Sequence, residues 1–169
     1  MNLDEAKGKF LEAWGTLGSQ WGINRTMSQI HALLMISPNA MSTEDVMEAL
    51  NISRGNANMN IRALMDWGLV SKELKSGDRK EYFKAGKDMW EIARRITYER
   101  RKREIDPVIQ VLASLKKEQI EGEDTQAVGA FVDSVKNIYE FTVSANDLVE
   151  KFIKSDENWF YKTLLKLVK

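Results

Sequence analysis

The chain has 169 residues, 25 Lys+Arg against 25 Asp+Glu, 43% hydrophobic and 30% charged residues, one histidine and no cysteine. That composition fits a globular chain long enough to bury a core. It excludes disulfides, thiolate metal centres, cysteine nucleophiles and any site needing two histidines.

Two prolines and ten glycines predict long helices. The N-terminus, Met1-Asn2-Leu3-Asp4-Glu5, is acidic and amphipathic rather than a signal peptide, and a cytoplasmic location is expected. No apolar run approaches about 18 residues, so no membrane span or membrane partner is expected. Apolar residues spaced three and four apart from Leu3 to Leu17 predict a first helix. Gly15 and Gly18 are expected to weaken it, and Trp21-Gly22 to end it. Asn24 reads as the cap of a second helix with Met27, Ile30, Leu34 and Met35 inward, closed by Pro38-Asn39.

Ser42-Thr43-Glu44-Asp45 resembles a capping box. It opens a short helix with Val46, Met47, Ala49 and Leu50 inward. Asn51-Ile52 makes a tight turn, and Ser53 caps another helix running to Trp67, with Ala57, Ile61, Leu64 and Met65 inward. Gly68 ends it. The period then changes to that of a hairpin: strand Leu69–Leu74, polar turn Lys75–Lys80, strand Glu81–Ala85. Helix, short helix, tight turn, helix, hairpin is the order of a winged helix-turn-helix.

Asp88 caps a further helix carrying Trp90, Ile92 and Ile96. The stretch from Tyr98 to Glu104 is almost wholly charged, and Asp106-Pro107 looks like a cap with a first-turn proline. Whether the helix stops there or continues through a kink is left open by the sequence. Glu118 to Asp124 reads as a polar connection. The longest periodic stretch runs from Thr125 to about Lys154, with a stripe including Val128, Phe131, Val135, Ile138, Val149 and Ile153. Ser155-Asp156 caps a last short helix with Phe160, Leu164 and Leu167. The fold class is therefore mostly α: a winged helix-turn-helix at 1–87 with a small β-hairpin wing, then C-terminal helices at 88–169 that form a dimerisation or effector region.

The run Leu50-Asn51-Ile52-Ser53-Arg54-Gly55-Asn56, with Trp67-Gly68-Leu69-Val70 and Gly77-Asp78-Arg79-Lys80-Glu81-Tyr82-Phe83, resembles the GbsR branch of the MarR-like transcriptional regulators. The pairs Trp14-Gly15 and Trp21-Gly22 are similar to that branch too. The resemblance covers about residues 8 to 95. It implies a homodimeric, DNA-binding repressor, and some members sense small osmolyte-related molecules.

In a helix-turn-helix the second helix enters the major groove with its N-terminal residues on base edges. Those residues here are Ser53, Arg54, Asn56 and Asn58. Arginine suits guanine and asparagine suits adenine. Arg62, farther along, is assigned to phosphate. On the wing, Lys75, Arg79 and Lys80 are candidates for phosphate or the minor groove. Four polar residues alone read as a solvated face, but the cap, turn and wing together turn the reading toward DNA. Residues 51–87 carry eight cations and four anions, which favours an anionic partner. A second basic run, Arg94-Arg95 and Arg100 to Arg103, reads first as a solvated helix face.

The five tryptophans read as core before they read as a cage for a quaternary ammonium. His31 reads as a packed residue. No cofactor or metal is expected, and a cofactor- or effector-binding residue is not identified. Three functions remain in order: a sequence-specific DNA-binding regulator with double-stranded DNA and itself as partners and room for a small-molecule effector; a winged helix used for protein–protein assembly; and, distantly, an enzyme.

Overall fold

The computed structural model describes residues 1–75, 77–115, 120 and 125–156. The expected last helix, with Phe160, Leu164 and Leu167, and most of the connection from Glu118 to Asp124 lie outside the described residues. By internal contacts the chain divides into two compact units, Met1–Ile92 and Ala93–Lys169.

In the first unit the elements are α1 (Leu3–Gln20), α2 (Arg25–Ile36), β1 (Met41–Ser42), α3 (Thr43–Leu50), α4 (Arg54–Asp66), β2 (Val70–Leu74) and β3 (Glu81–Ala85). Local chemistry sets their ends. Asn2 and Glu5 form a capping box at α1, and the Asn24 side chain accepts from Met27 N at 3.1 Å at α2. Ser42 and Asp45 form the second capping box: Ser42 Oγ accepts from Asp45 N at 3.2 Å, and Ser42 N donates to Asp45 Oδ2 at 2.8 Å. Asn51 closes α3 in the left-handed region at φ 49°, where asparagine is tolerated. Three residues then suffice to turn the chain into α4.

Helix α2 is the centre of this unit and packs against α1, α4 and β3. Its Ile30, Ala32 and Leu34, with Val46 of α3 and Ala57, Ile61 and Leu64 of α4, are at most 2% exposed. Ala49 of α3, expected inward, is exposed. Helix α1 does not weaken at its glycines. It continues to Gln20, and Gly15 and Gly18 are buried where α1 crosses α2. A Cβ at Gly15 would sit 2.8 Å from Gln29 Cγ, so the absent side chains bring the two backbones together. The hairpin gains a third strand that the sequence did not suggest. The order is β1-β3-β2, all antiparallel, with Met41 opposite Phe83 and Val70 opposite Ala85. A two-residue strand is too short to carry an alternating signal.

Helix α5 (Met89–Arg100) begins at Asp88, whose Oδ1 accepts from Trp90 N at 2.9 Å and Glu91 N at 3.2 Å. The question at Pro107 is answered by the backbone. The chain stays helical through it: a π-helical stretch, Arg101–Ile105, follows α5 directly and leads into α6 (Asp106–Ser114) with Pro107 at its second residue, the wider turn falling just before the residue that cannot donate. In the second unit this stretch is tied to α7 (Thr125–Lys154) by Arg101. Its Nε donates to Asn146 Oδ1 at 2.7 Å and its Nη2 to Glu150 Oε1 at 2.8 Å. Asn146 is buried at 7% exposure, so the Arg101 guanidinium satisfies its oxygen inside this unit.

Candidate nucleic-acid interface

The short turn at Asn51-Ile52 leaves the start of α4 projecting, and Ser53 Oγ accepts from Asn56 N at 3.3 Å to cap it. The buried face of α4 is Ala57, Asn60, Ile61 and Leu64. Its outward stripe is Gly55, Met59, Arg62 and Asp66, all exposed, with Ser53 and Arg54 beside it at the N-terminus. A Cβ at Gly55 would meet nothing within 4 Å, so this surface is open to approach.

The candidate residues on α4 differ in how they are held. Arg54 Nη2 lies 2.7 Å from Glu44 Oε1 of α3. Arg62 is exposed and its side chain has no hydrogen-bond or ionic partner among the described residues. Asn56 and Asn58 are half-buried rather than outward. Asn56 Oδ1 accepts from Asn60 Nδ2 at 2.7 Å, and Asn58 Oδ1 accepts from Thr43 Oγ1 at 3.2 Å, linking α4 to α3. Met59, on the outer face of α4, is 61% exposed; Glu44 and Asn60 are partners that the sequence did not single out for this face.

The wing is organised by Asp78. Its Oδ2 accepts from Tyr82 OH at 2.6 Å and its Oδ1 from Lys80 N at 2.9 Å. The Tyr82 bond, then the Lys80 backbone bond, hold the Asp78 carboxyl below its ordinary range, and the same bond to Asp78 raises the Tyr82 hydroxyl. Lys75 Nζ sits 3.7 Å from the centre of the Tyr82 ring, a cation–π contact. Lys72 pairs with Glu81 across β2 and β3. Arg79 stands exposed on the turn, its side chain without an ionic partner among the described residues.

These pieces meet at the start of α3. A bond from its own backbone N–H, then one from the Arg54 side chain, lower the Glu44 carboxyl, and Lys80 adds to the effect. Hydrogen bonds within the Ser42 capping box lower Asp45, with smaller contributions from Lys80 and Lys75. Arg54 ties the N-terminus of α4 to Glu44 in the first turn of α3, and Ser42, the cap of α3, lies opposite Tyr82 of β3, so the N-termini of α3 and α4 and the root of the wing share one face.

The order of elements and the residues that carry it have a counterpart among known families. Residues 21–81 match the model of the MarR family. Over that stretch the winged helix is similar to the MarR family. That stretch begins before α2 and ends as β3 begins, so it takes in α2 through α4, β2 and the wing turn. A crystal structure of a transcriptional regulator superposes on this chain with a TM-score of 0.64 at 17% identity, covering 88% of this chain and 95% of that one. At that identity the likeness is one of fold. An S. aureus MepR mutant bound to an oligodeoxyribonucleotide is 14% identical over 79% of this chain and 89% of its own, with a TM-score of 0.40. AdcR from Streptococcus pyogenes is 23% identical over 71% of this chain and 78% of its own, with a TM-score of 0.33. No curated protein matches the chain.

Outside this face, no group of three or more metal-ligating side chains occurs among the described residues. No described helix is long and apolar enough to cross a membrane. Trp14 packs 5.6 Å from Phe10 and 6.4 Å from His31, ring centre to ring centre, and is half-buried, which is core packing. Trp21 is 49% exposed. Trp159 and Tyr161 lie outside the described residues.

Proposed function

We propose that the protein is a sequence-specific DNA-binding transcriptional regulator, a homodimeric repressor reading a pseudo-palindromic operator. Helix α4 enters the major groove with Ser53, Arg54, Asn56 and Asn58 at its leading end, and Arg62 meets phosphate. The wing, with Lys75, Arg79 and Lys80, grips the neighbouring backbone or minor groove. The observation that carries this reading is the shared face: a projecting, open N-terminus of α4 beside an ordered basic turn.

The two arginines are expected to behave differently. Arg62→Ala should weaken binding to all duplexes alike and lower the salt slope by about one. Arg54→Ala should cost about 1–3 kcal/mol on the preferred duplex and little on a scrambled one. Fluorescence anisotropy at two salt concentrations separates the two. Equal losses on both duplexes for Arg54→Ala would assign it to phosphate as well.

The homodimer is supported by α7. Phe131, Ile138, Phe141 and Leu148 are 47%, 52%, 75% and 67% exposed, and their spacing follows a heptad seam. Two-fold pairing along this seam would present two α4 helices to two half-sites. Sedimentation at micromolar protein should give about twice 19.4 kDa for wild type and the single-chain mass for Phe141→Glu. A wild-type species of single-chain mass would overturn the dimer.

A further inference from the structure

In the first turns of α4 the side-chain amide oxygens are turned to partners inside the protein. Asn60, 3% exposed, donates from Nδ2 to the Asn56 backbone oxygen at 2.9 Å and to Asn56 Oδ1 at 2.7 Å. A backbone oxygen only accepts, so the Asn60 amide is fixed with its nitrogen toward Asn56. The Asn56 atom that meets this nitrogen is then its oxygen. Asn58 Oδ1 is taken by Thr43 Oγ1 at 3.2 Å. Ser53 Oγ accepts from Asn56 N, which leaves its O–H to donate. The neighbouring carboxylate, Glu44, is paired with Arg54 at 2.7 Å. The next acid along the helix is Asp66, about three turns on.

Asparagine reads adenine by presenting an acceptor and a donor on one edge, to N6–H and N7; guanine offers two acceptors there, O6 and N7. Resting on the DNA reading above, we infer that Asn60 is a specificity-determining residue that acts through Asn56. By holding the Asn56 oxygen inward it keeps that oxygen and the Asn56 amide nitrogen from facing an adenine edge together, so the helix selects guanine through the Arg54 donors and does not read adenine. The geometry reverses the expectation that Asn56 and Asn58 seek adenine. It also gives a buried polar side chain, in a face otherwise made of Ala57, Ile61 and Leu64, a role beyond packing.

The test enriches bound duplexes from a random library with the full-length protein, then measures anisotropy on the enriched duplex. Each half-site guanine is changed to adenine in turn, and each adenine is replaced by purine, which lacks the N6 amino group. Guanine-to-adenine changes at the α4 contact should weaken binding about tenfold or more, and removing N6 should cost nothing. In Asn60→Leu, where the Asn56 amide is released, the guanine-over-adenine ratio at one position should fall about tenfold. Two results would overturn the inference: wild-type binding that depends on an adenine N6 in the half-site, or an unchanged ratio in an Asn60→Leu variant that keeps the wild-type melting temperature. If that variant does not fold, the N6 substitutions on wild type decide alone. No enrichment of any sequence at low salt would remove the DNA reading itself, whereas adenine-dependent enrichment removes only this inference.

Discussion

Lowering the pH from 7 to 4 will strip about 3 kcal/mol from the folding stability of this protein through His31 alone. The side chain is 2% exposed, packs beside Trp14, and its Nε2 is buried without a hydrogen-bond partner among the described residues. Burial lowers its pKa from 6.5 to about 4, because a charged imidazolium would lose its hydration with nothing to replace it. Between those values the unfolded chain binds a proton that the native chain does not. Stability therefore falls as pH drops through that window and is level again below about 4, with about 2 kcal/mol gone by pH 5. The depressed carboxylates Glu44, Asp45 and Asp78 also lose stability on acidification, but below their ordinary values of 4.5, 3.8 and 3.8. Urea unfolding between pH 7 and pH 5 isolates the histidine. His31→Leu should flatten the curve over that interval, and parallel curves for the two proteins would contradict the assignment.

A methyl group at Gly18 will destabilise the protein by about 1–3 kcal/mol, although alanine ordinarily stabilises a helix interior by nearly 1 kcal/mol over glycine. The added Cβ would lie 2.6 Å from Ser28 Cβ and closer still to Ser28 Oγ. Ser28 is itself buried at 5% exposure and its Oγ donates to Asn24 O at 3.2 Å, so it has no free direction in which to yield. The helices must part, and α2 carries the core under α4. Gly8 is the internal control: a Cβ there meets nothing within 4 Å, so Gly8→Ala should stabilise by about 0.5–1 kcal/mol. Ser28→Gly should recover part of the loss in the Gly18→Ala background. Thermal unfolding of the three variants beside wild type reads the signs directly, and a stabilising Gly18→Ala would contradict the close crossing.

Much of the fold is written in local chemistry and was legible for that reason. Asn24, the Ser42–Asp45 box, Ser53 and Asp88 cap helices through bonds to backbone two or three residues away, and such bonds depend on sequence spacing alone. The hairpin returns at Glu81–Ala85 as its alternation predicts. What the sequence did not reveal depends on partners distant in the chain. Gly15 and Gly18 look like helix weaknesses until α2 is set against them. Phe131 and Ile138 belong by period to one stripe with Val135, yet they are exposed while Val135 is buried. Helix α7 carries more apolar residues than one face holds. Asn56 and Asn58 look outward as polar residues on a groove helix, but Asn60 and Thr43 draw their oxygens inward. Of the candidate DNA residues, those with long cationic side chains stand exposed, and the two short amides are half-buried and bonded.

Binding of DNA by α4 and the wing, with sequence preference, is what the proposed function requires. Anisotropy of the wild-type protein on the duplex upstream of its own reading frame, beside a scrambled duplex of equal composition at two salt concentrations, tests it most directly. Salt-dependent binding at both is expected, tighter on the native duplex, with the preference lost in Arg54→Ala. No binding to either duplex at low salt would contradict it and would make the winged helix a surface for another protein.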